Sequence, residues 1–447
     1  MTVRRGELSF NRARFGLLQG THTAAFSIAS DRPSAFSSFK TFTGSPLSIK
    51  LTPISFRVVG MDSACYSNTQ FGVPRRTVGA HEYTAYFAKP IPRSLELTAD
   101  TVSLLAEAEA ALGRLAGMAP LLPNPRLFIE PYMAREALAS TRIEGTHASL
   151  DQVFENEAVG APPNADVEAV LNYLKAMNLG IQRLKSLPIS GRFICELHSA
   201  LLAGVRGRER SPGVVRTTQN WIGSPGATID TATFVPPPAA ELDALITDWE
   251  EFANESGPHP LLVRCALLHY QFETLHPFLD GNGRLGRLLI PLFLVAQRRL
   301  DAPLLYLSPW VEQRRDAYYD RLQGVRERGD IAGWLNFLFE GIATQADDAV
   351  QRSLRLIVER DRYREMFIGK RKQSMIALID IVIGNPIVSA RIVEQRANVS
   401  RPTSLTWLRE FQDLGILTPA KSGQRGQQRW VAHDILEIIA ADSQSAT

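Results

Sequence analysis

The residues best suited to chemistry stand together, in the stretch His276-Pro277-Phe278-Leu279-Asp280-Gly281-Asn282-Gly283-Arg284-Leu285-Gly286-Arg287. It lies between two apolar patterns, Pro260 to Thr274 and Arg284 to Arg298, and therefore reads as a loop joining two helices. Gly281 and Gly283 allow positive φ and let a ligand approach the backbone closely. The loop feeds a helix N-terminus, where free N–H groups and the helix dipole favour an anion. Arg284 and Arg287, three residues apart, share one face of the first turn, and guanidinium forks suit phosphate oxygens. Asp280 can hold Mg²⁺, which binds through one or two carboxylates plus substrate phosphates. His276 is the only nearby group whose ordinary pKa allows proton abstraction at neutral pH. Together they make a phosphate-handling site, in which a hydroxyl deprotonated by His276 could attack an α-phosphate and expel pyrophosphate. A metal-dependent phosphohydrolase built on His276 and Asp280 is disfavoured, because His259 reads as a loop residue and His269 as a helix-face residue.

The elements that must position this loop are mostly helical. Leu104-Leu105, Ala108, Leu112 and Leu115 recur at helical intervals until Pro120 to Pro125 breaks the run. A second helix is expected over Phe128 to Ile143, stopping at Gly145, and Ser149 can start the next. Further helices are expected over Asp166–Leu184, Arg192–Ala203, Glu241–Phe252, Val311–Arg328, Ile331–Phe339 and Ala343–Lys372. Between Gly204 and Pro238, Asn220-Trp221-Ile222-Gly223 and Thr231 to Val235 read as two short extended pieces of a hairpin.

The tail is a separate unit. Met375–Ile383, Ser389–Arg396 and Ser400–Leu414 read as helices, with a turn at Ala397-Asn398-Val399. Gly415-Ile416-Leu417 and Gln428–Val431 flank a polar Lys421–Arg429 segment, like a wing between strands. The order is similar to a winged helix-turn-helix. DNA binding through residues 389–430 would use Arg401, Thr403, Ser404, Thr406 and Arg409, with Lys421, Arg425 and Arg429 on the wing; protein docking and dimerisation are equally open to such a unit.

At 447 residues the chain is expected to hold more than one domain. The expected divisions are an N-terminal extension over 1–80, a helical region over 81–190, a catalytic domain over 191–345, a linking helix over 346–372 and the winged-helix unit over 373–447. The first 60 residues carry eight Arg or Lys against only Glu7 and Asp31, and superficially resemble a transit peptide. They read better as a disordered extension, or as sequence translated upstream of a true start at Met61. A hydrophobic fraction of 45%, a charged fraction of 21% and a net charge of +3 describe a soluble globular chain and announce no membrane or nucleic-acid partner. Cys65, Cys195 and Cys265 follow no metal-ligand spacing and read as free thiols of a reducing compartment, which makes a cytoplasmic location the expectation.

The 276–287 string matches His-x-Phe-x-(Asp/Glu)-Gly-Asn-(Gly/Lys)-Arg-x-x-Arg at every defined position, and in this the sequence resembles the Fic (filamentation induced by cAMP) domain family. Leu202-Ala203-Gly204-Val205-Arg206-Gly207, Pro212-Gly213-Val214-Val215-Arg216 and Gln219-Asn220-Trp221-Ile222-Gly223 extend the likeness. The resemblance implies a mainly α fold, a Fic-type helical bundle with a β-hairpin flap. It implies a protein adenylyltransferase that moves AMP from ATP, with Mg²⁺, onto a Ser, Thr or Tyr hydroxyl of a target protein, the chain itself included. It also implies a homodimer. By the same resemblance His276 is the base and Asp280 the Mg²⁺ ligand. The nucleotide is held along Asp280, Gly281, Asn282, Gly283, Arg284, Leu285, Gly286 and Arg287, with Asn282, Arg284 and Arg287 on its phosphates. Thr233 and Phe234 of the flap, which aligns the target by strand addition, join the site. Tyr318 lies where family members contact adenosine, although the adjacent Tyr319 or a core role leaves that assignment open.

Ser140-Thr141-Arg142-Ile143-Glu144-Gly145 matches the family's inhibitory signature, Ser/Thr-x-x-x-Glu-(Gly/Asn). The implied brake is electrostatic: Glu144 pairs with Arg287, the guanidinium wanted by the ATP γ-phosphate, and misplaces the phosphates. The same carboxylate could instead position water for removing AMP, a use that sequence does not separate from the first.

Overall fold

The computed structural model describes residues 61–78, 82–118, 125–160, 162–204, 210–367, 375–420 and 428–441. Residues 1–60, Arg206 and Gly207, and Lys421 and Arg425 of the expected wing lie outside them. Within the described residues the architecture is mainly helical, as the periodicity predicts. Helices α1 (Ala99–Met118), α2 (Pro125–Ile143), α3 (Leu150–Val159), α4 (Ala165–Arg183), α5 (Gly191–Leu201) and α6 (Leu242–Asn254) lead to the pair that carries the loop, α7 (Leu261–Leu275) and α8 (Asn282–Ala296). Beyond them come α9 (Ser308–Gln313), α10 (Arg315–Arg328) and the long α11 (Ile331–Glu365). No helix among the described residues is long and apolar enough to cross a membrane.

Caps set several boundaries. Ser149 starts α3 with a reciprocal capping box to Gln152, and Gly160 ends it in the left-handed conformation. Helix α7 is the centre: every residue from Leu262 to Leu275 is buried. A helix buried on all sides must be surrounded, and α6, α8 and α11 pack around it. Trp334 of α11 anchors that contact, its Nε1 donating to the Ala266 carbonyl at 3.0 Å. Helix α4 crosses α8 so closely that a Cβ built on Gly180 would lie 2.5 Å from Leu292 Cδ1.

Residues 61–78 are not part of an N-terminal extension. Gly72–Arg76 (β1) and Thr84–Ala88 (β2) form an antiparallel hairpin, and the preceding segment docks on α10 through Ser67 N–H to the Glu327 carbonyl, 2.7 Å. The hairpin expected at 220–235 is reduced to one bridge, Ile222 to Phe234. Its second strand is lengthened from outside instead, with Tyr86 N–H donating to the Val235 carbonyl at 2.9 Å. Met61, Tyr66, Ala85, Tyr86, Ala232, Phe234 and Val235 share a small apolar cluster, so the two pieces stabilise each other.

The C-terminal unit runs α12 (Ile376–Gly384), β3 (Ile387–Ser389), α13 (Ala390–Ala397), α14 (Arg401–Asp413), β4 (Thr418–Ala420), β5 (Arg429–Val431) and α15 (His433–Ala440). β5 lies between β3 and β4, antiparallel to both. The strand expected at 415–417 starts later, because Gly415 is left-handed and the Ile416 and Leu417 amides bond back to the Phe411 carbonyl, closing α14. Basic residues here serve the chain itself. Arg391 bonds the Glu157 carbonyl, Arg396 pairs with Glu130 and Glu157, and Arg429 pairs with Glu155. Arg401 pairs with Glu394 and Ser404 is buried, so the DNA-facing set expected from the sequence is thinned.

Gly180→Ala tests the α4–α8 crossing. Leu292 is fully buried and cannot retreat freely, so urea unfolding should show a loss of about 1–3 kcal/mol. An unchanged midpoint would mean that the helices are not held at this distance.

Candidate active site

His276 closes α7 in an unusual way. It is the C-cap residue at φ 46°, ψ 58°, a left-handed conformation that costs a non-glycine residue energy unless its surroundings impose it. Those surroundings are hydrogen bonds to its carbonyl. Arg216 Nε donates at 2.9 Å and Asn220 Nδ2 at 3.2 Å. Arg216 also reaches the Leu275 and Pro237 carbonyls, tying the flap segment to the end of α7. The imidazole is half-buried, with Nδ1 turned inward toward the Glu273 carbonyl without closing a well-formed hydrogen bond. Burial, with Arg326 and Arg216 adding to it, pushes its pKa down to about 4. The ring is therefore neutral and able to accept a proton throughout the physiological range.

The loop holds itself rigid. Asn282 is buried and fully engaged with the loop backbone, its Oδ1 accepting from Phe278 N–H at 2.9 Å and its Nδ2 donating to the Phe278 carbonyl at 2.8 Å. The Asn282 side chain is thus occupied within the loop. Leu285 is completely buried and Gly286 faces Glu273 and Phe272, so neither offers a side of α8 to a ligand. Gly281, at φ 77°, caps the start of α8, whose first-turn amides lack partners within the helix.

Asp280 Oδ1 accepts from its own Gly281 N–H at 2.6 Å and lies 3.4 Å from Arg284 Nη2. Its side chain is 48% exposed. One accessible carboxylate fits a Mg²⁺ ion that draws its other ligands from phosphates and water. No group of three His, Cys, Asp or Glu residues suited to a metal exists among the described residues, so a bound nucleotide would have to supply most of the coordination.

The two arginines diverge in burial. Arg284 lies beside Asp280 with 13% of its side chain exposed, whereas the Arg287 side chain is 1% exposed and points at the end of α2. Arg287 Nε donates to Ser140 Oγ at 3.0 Å, and its Nη2 donates to the Ser140 carbonyl at 2.9 Å and to Glu144 Oε1 at 2.7 Å. Burial works against ionisation of Glu144, but the Arg287 guanidinium outweighs it and keeps the carboxyl below the usual carboxylate range. The carboxylate comes so close to α8 that a Cβ on Gly283 would lie 2.5 Å from Glu144 Oε1. The Glu144 carboxylate thus lies over the first turn of α8, against Arg287.

Two residues expected at the nucleotide are placed differently. Tyr318 is 1% exposed and its hydroxyl bonds His269 Nε2 at 2.9 Å, making it a core residue. Tyr319 is the exposed neighbour, at 40%, with Arg315 near its face. Phe234 is buried under the Arg326 guanidinium, 3.9 Å from its ring centre, and Arg326 in turn binds the Glu273 carbonyl and Thr274 Oγ1. Thr233 alone of the flap pair is exposed.

Two further residues, His198 and Glu273, adjoin the loop without standing in the motif. His198 of α5 stacks on Phe278 at 3.8 Å, accepts from Gly213 N–H at Nδ1 and bonds the Asp280 carbonyl through Nε2, both at 2.8 Å. Glu273, one turn before His276, has a buried Oε1 without a partner, and burial pushes its pKa up to about 7 against the pull of Arg287. Neither carries a sequence signal, because each acts on elements remote in the chain or across the helix.

A titration followed by ¹³C-histidine NMR, with His276→Gln to assign the signal, checks the state of the base. The His276 midpoint should lie near 4; a midpoint near 6.5 would show an imidazole open to solvent.

Residues 102–182 match the family described as "Fic/DOC family N-terminal", and residues 188–294 match "Fic/DOC family". A protein of Aedes aegypti named protein adenylyltransferase Fic is 29% identical over 205 residues, 45% of this chain and 35% of that protein. One of the same name from Drosophila grimshawi is 28% identical over 263 residues, 55% of this chain and 46% of that protein. The chain therefore spans less than half the length of these curated relatives. A crystal structure of a Fic family protein from Desulfovibrio desulfuricans shares the fold, with a TM-score of 0.51 and 22% identity over 77% of this chain and 98% of that one. Residues 102–182 and 188–294 thus carry the two Fic/DOC family regions, with the full motif folded into one loop.

Proposed function

We propose that this chain is a protein adenylyltransferase that transfers AMP from ATP to a hydroxyl of a target protein and is held in check by Glu144. The observation that carries the reading is the 2.7 Å contact between Glu144 and the buried Arg287, at a helix N-terminus built for phosphate. The name shared by the curated relatives supports the reaction type.

The roles follow from position. The first-turn amides of α8 and Arg284 bind the triphosphate, and Arg287 takes its γ-phosphate. Asp280 holds Mg²⁺, which when bound neutralises charge on the phosphates. His276 Nε2, the ring nitrogen without a buried contact, removes the proton of the incoming hydroxyl. The target oxygen bonds to the α-phosphorus, the bond from that phosphorus to the bridging oxygen breaks, and pyrophosphate leaves. Tyr319, rather than the buried Tyr318, offers an aromatic face to the adenine. Thr233, on the exposed flap segment, faces the target chain.

Glu144 opposes this by occupying the position of the γ-phosphate oxygens. ATP then binds with its chain of phosphates displaced, and in-line attack fails because alignment supplies most of the rate. Ser140 continues to hold Arg287 in place when the carboxylate is gone, so the site is ready once Glu144 leaves.

Radiolabelled ATP with Mg²⁺ tests the reading. Glu144→Gly should raise AMP incorporation about 100-fold or more. Adding His276→Ala should lower it again by a factor of about 10²–10⁴. No incorporation by Glu144→Gly, with any protein acceptor or onto the chain itself, would contradict the assignment.

A further inference from the structure

His198 stands outside the motif, on α5, yet it touches the loop at three places. Its ring lies parallel to Phe278, 12° from coplanar at 3.8 Å. Because Gly213 N–H is a donor, Nδ1 must be the acceptor, so Nε2 carries the hydrogen and donates it to the Asp280 carbonyl. The partners on both sides fix one tautomer.

That donation has a consequence one bond away. The Asp280 carbonyl belongs to the same peptide plane as the Gly281 N–H, which points the opposite way and donates to Asp280 Oδ1 at 2.6 Å. Holding the carbonyl therefore aims the amide, and the amide aims the carboxylate. Gly281 at φ 77° has no side chain to resist rotation of this plane, and the His198 ring is in contact range of its α-carbon face, 3.4 Å from where a Cβ would stand. Nothing else among the described residues bonds the Asp280 carbonyl.

We infer that His198 is a positioning residue that fixes the Asp280–Gly281 peptide plane and thereby presents the Asp280 carboxylate to a divalent cation. The inference rests on the adenylyltransferase reading for the use of that cation, although not for the geometry. Partners of this kind, one shell behind a metal ligand, commonly change metal affinity by 10- to 100-fold when removed.

The experiment compares His198→Ala and His198→Gln in the full chain carrying Glu144→Gly. Glutamine can keep a donor near the Nε2 position and so should rescue. In His198→Ala the Gly281 amide should exchange with deuterium about tenfold faster, and the apparent KM for Mg²⁺ should rise about tenfold. ATP affinity measured by calorimetry in EDTA should stay unchanged, and His198→Gln should restore most of the loss. A merely structural histidine would lower metal-free ATP affinity and the metal-dependent rate together. That result, or unchanged Gly281 exchange, would overturn the inference. If the Gly281 amide loosens while no form of the chain transfers AMP, the positioning role stands and the adenylyltransferase reading falls.

Discussion

A guanidinium taken almost wholly out of water must keep an anion beside it, and the rest of this site is arranged around that need. Removing a partner from a buried charge leaves a large uncompensated cost, so Arg287 is never simply vacant. Helix α2 ends against α8 so that Ser140 and Glu144, one turn apart on one face, both reach it. The carbonyl end of α2 adds its own negative potential. Glu144 is the exchangeable member of the set, because its side chain is 36% exposed whereas Ser140 is buried. Under the proposed function, a phosphate oxygen takes the place of the glutamate without the arginine leaving its seat.

The remainder of the loop is built to stay still while that exchange happens. Asn282 closes the turn on itself, Arg216 and Asn220 hold the His276 carbonyl, and Arg326 links the flap to the last turn of α7. Burial, aided by Arg326 and Arg216, keeps the His276 imidazole neutral against the opposing pull of Glu144, which suits the proposed role of base. Rigidity of this kind suits a reaction in which alignment, more than covalent help from the protein, sets the rate.

The helices were legible because their apolar residues recur at the right interval, and the motif was legible because its residue types and spacing have one chemical use. The failures have physical causes. Gly341 reads as a break between two helices, yet α11 runs through it, since a Cβ there would lie 2.8 Å from Trp310 Cδ1 and the helix can pack so closely only with glycine. The β1–β2 hairpin, with Pro74 in a strand and a polar outer edge, has little local signal; it is stabilised by the flap residues some 150 positions away. Tyr318 and Tyr319 are neighbours in sequence that a helix turns toward opposite environments, one to the core and one to solvent. His198 and Glu273 matter through contacts that only the assembled helices create.

The central claim is that Glu144 and the terminal phosphate of ATP compete for one guanidinium. Crystals of the chain and of its Glu144→Gly variant, each soaked with Mg²⁺ and a non-hydrolysable ATP analogue, test it directly. In the variant the γ-phosphate should lie within hydrogen-bond distance of Arg287, and with Glu144 present it should be displaced while Arg287 stays on the carboxylate. An identical phosphate placement in the two crystals would contradict it.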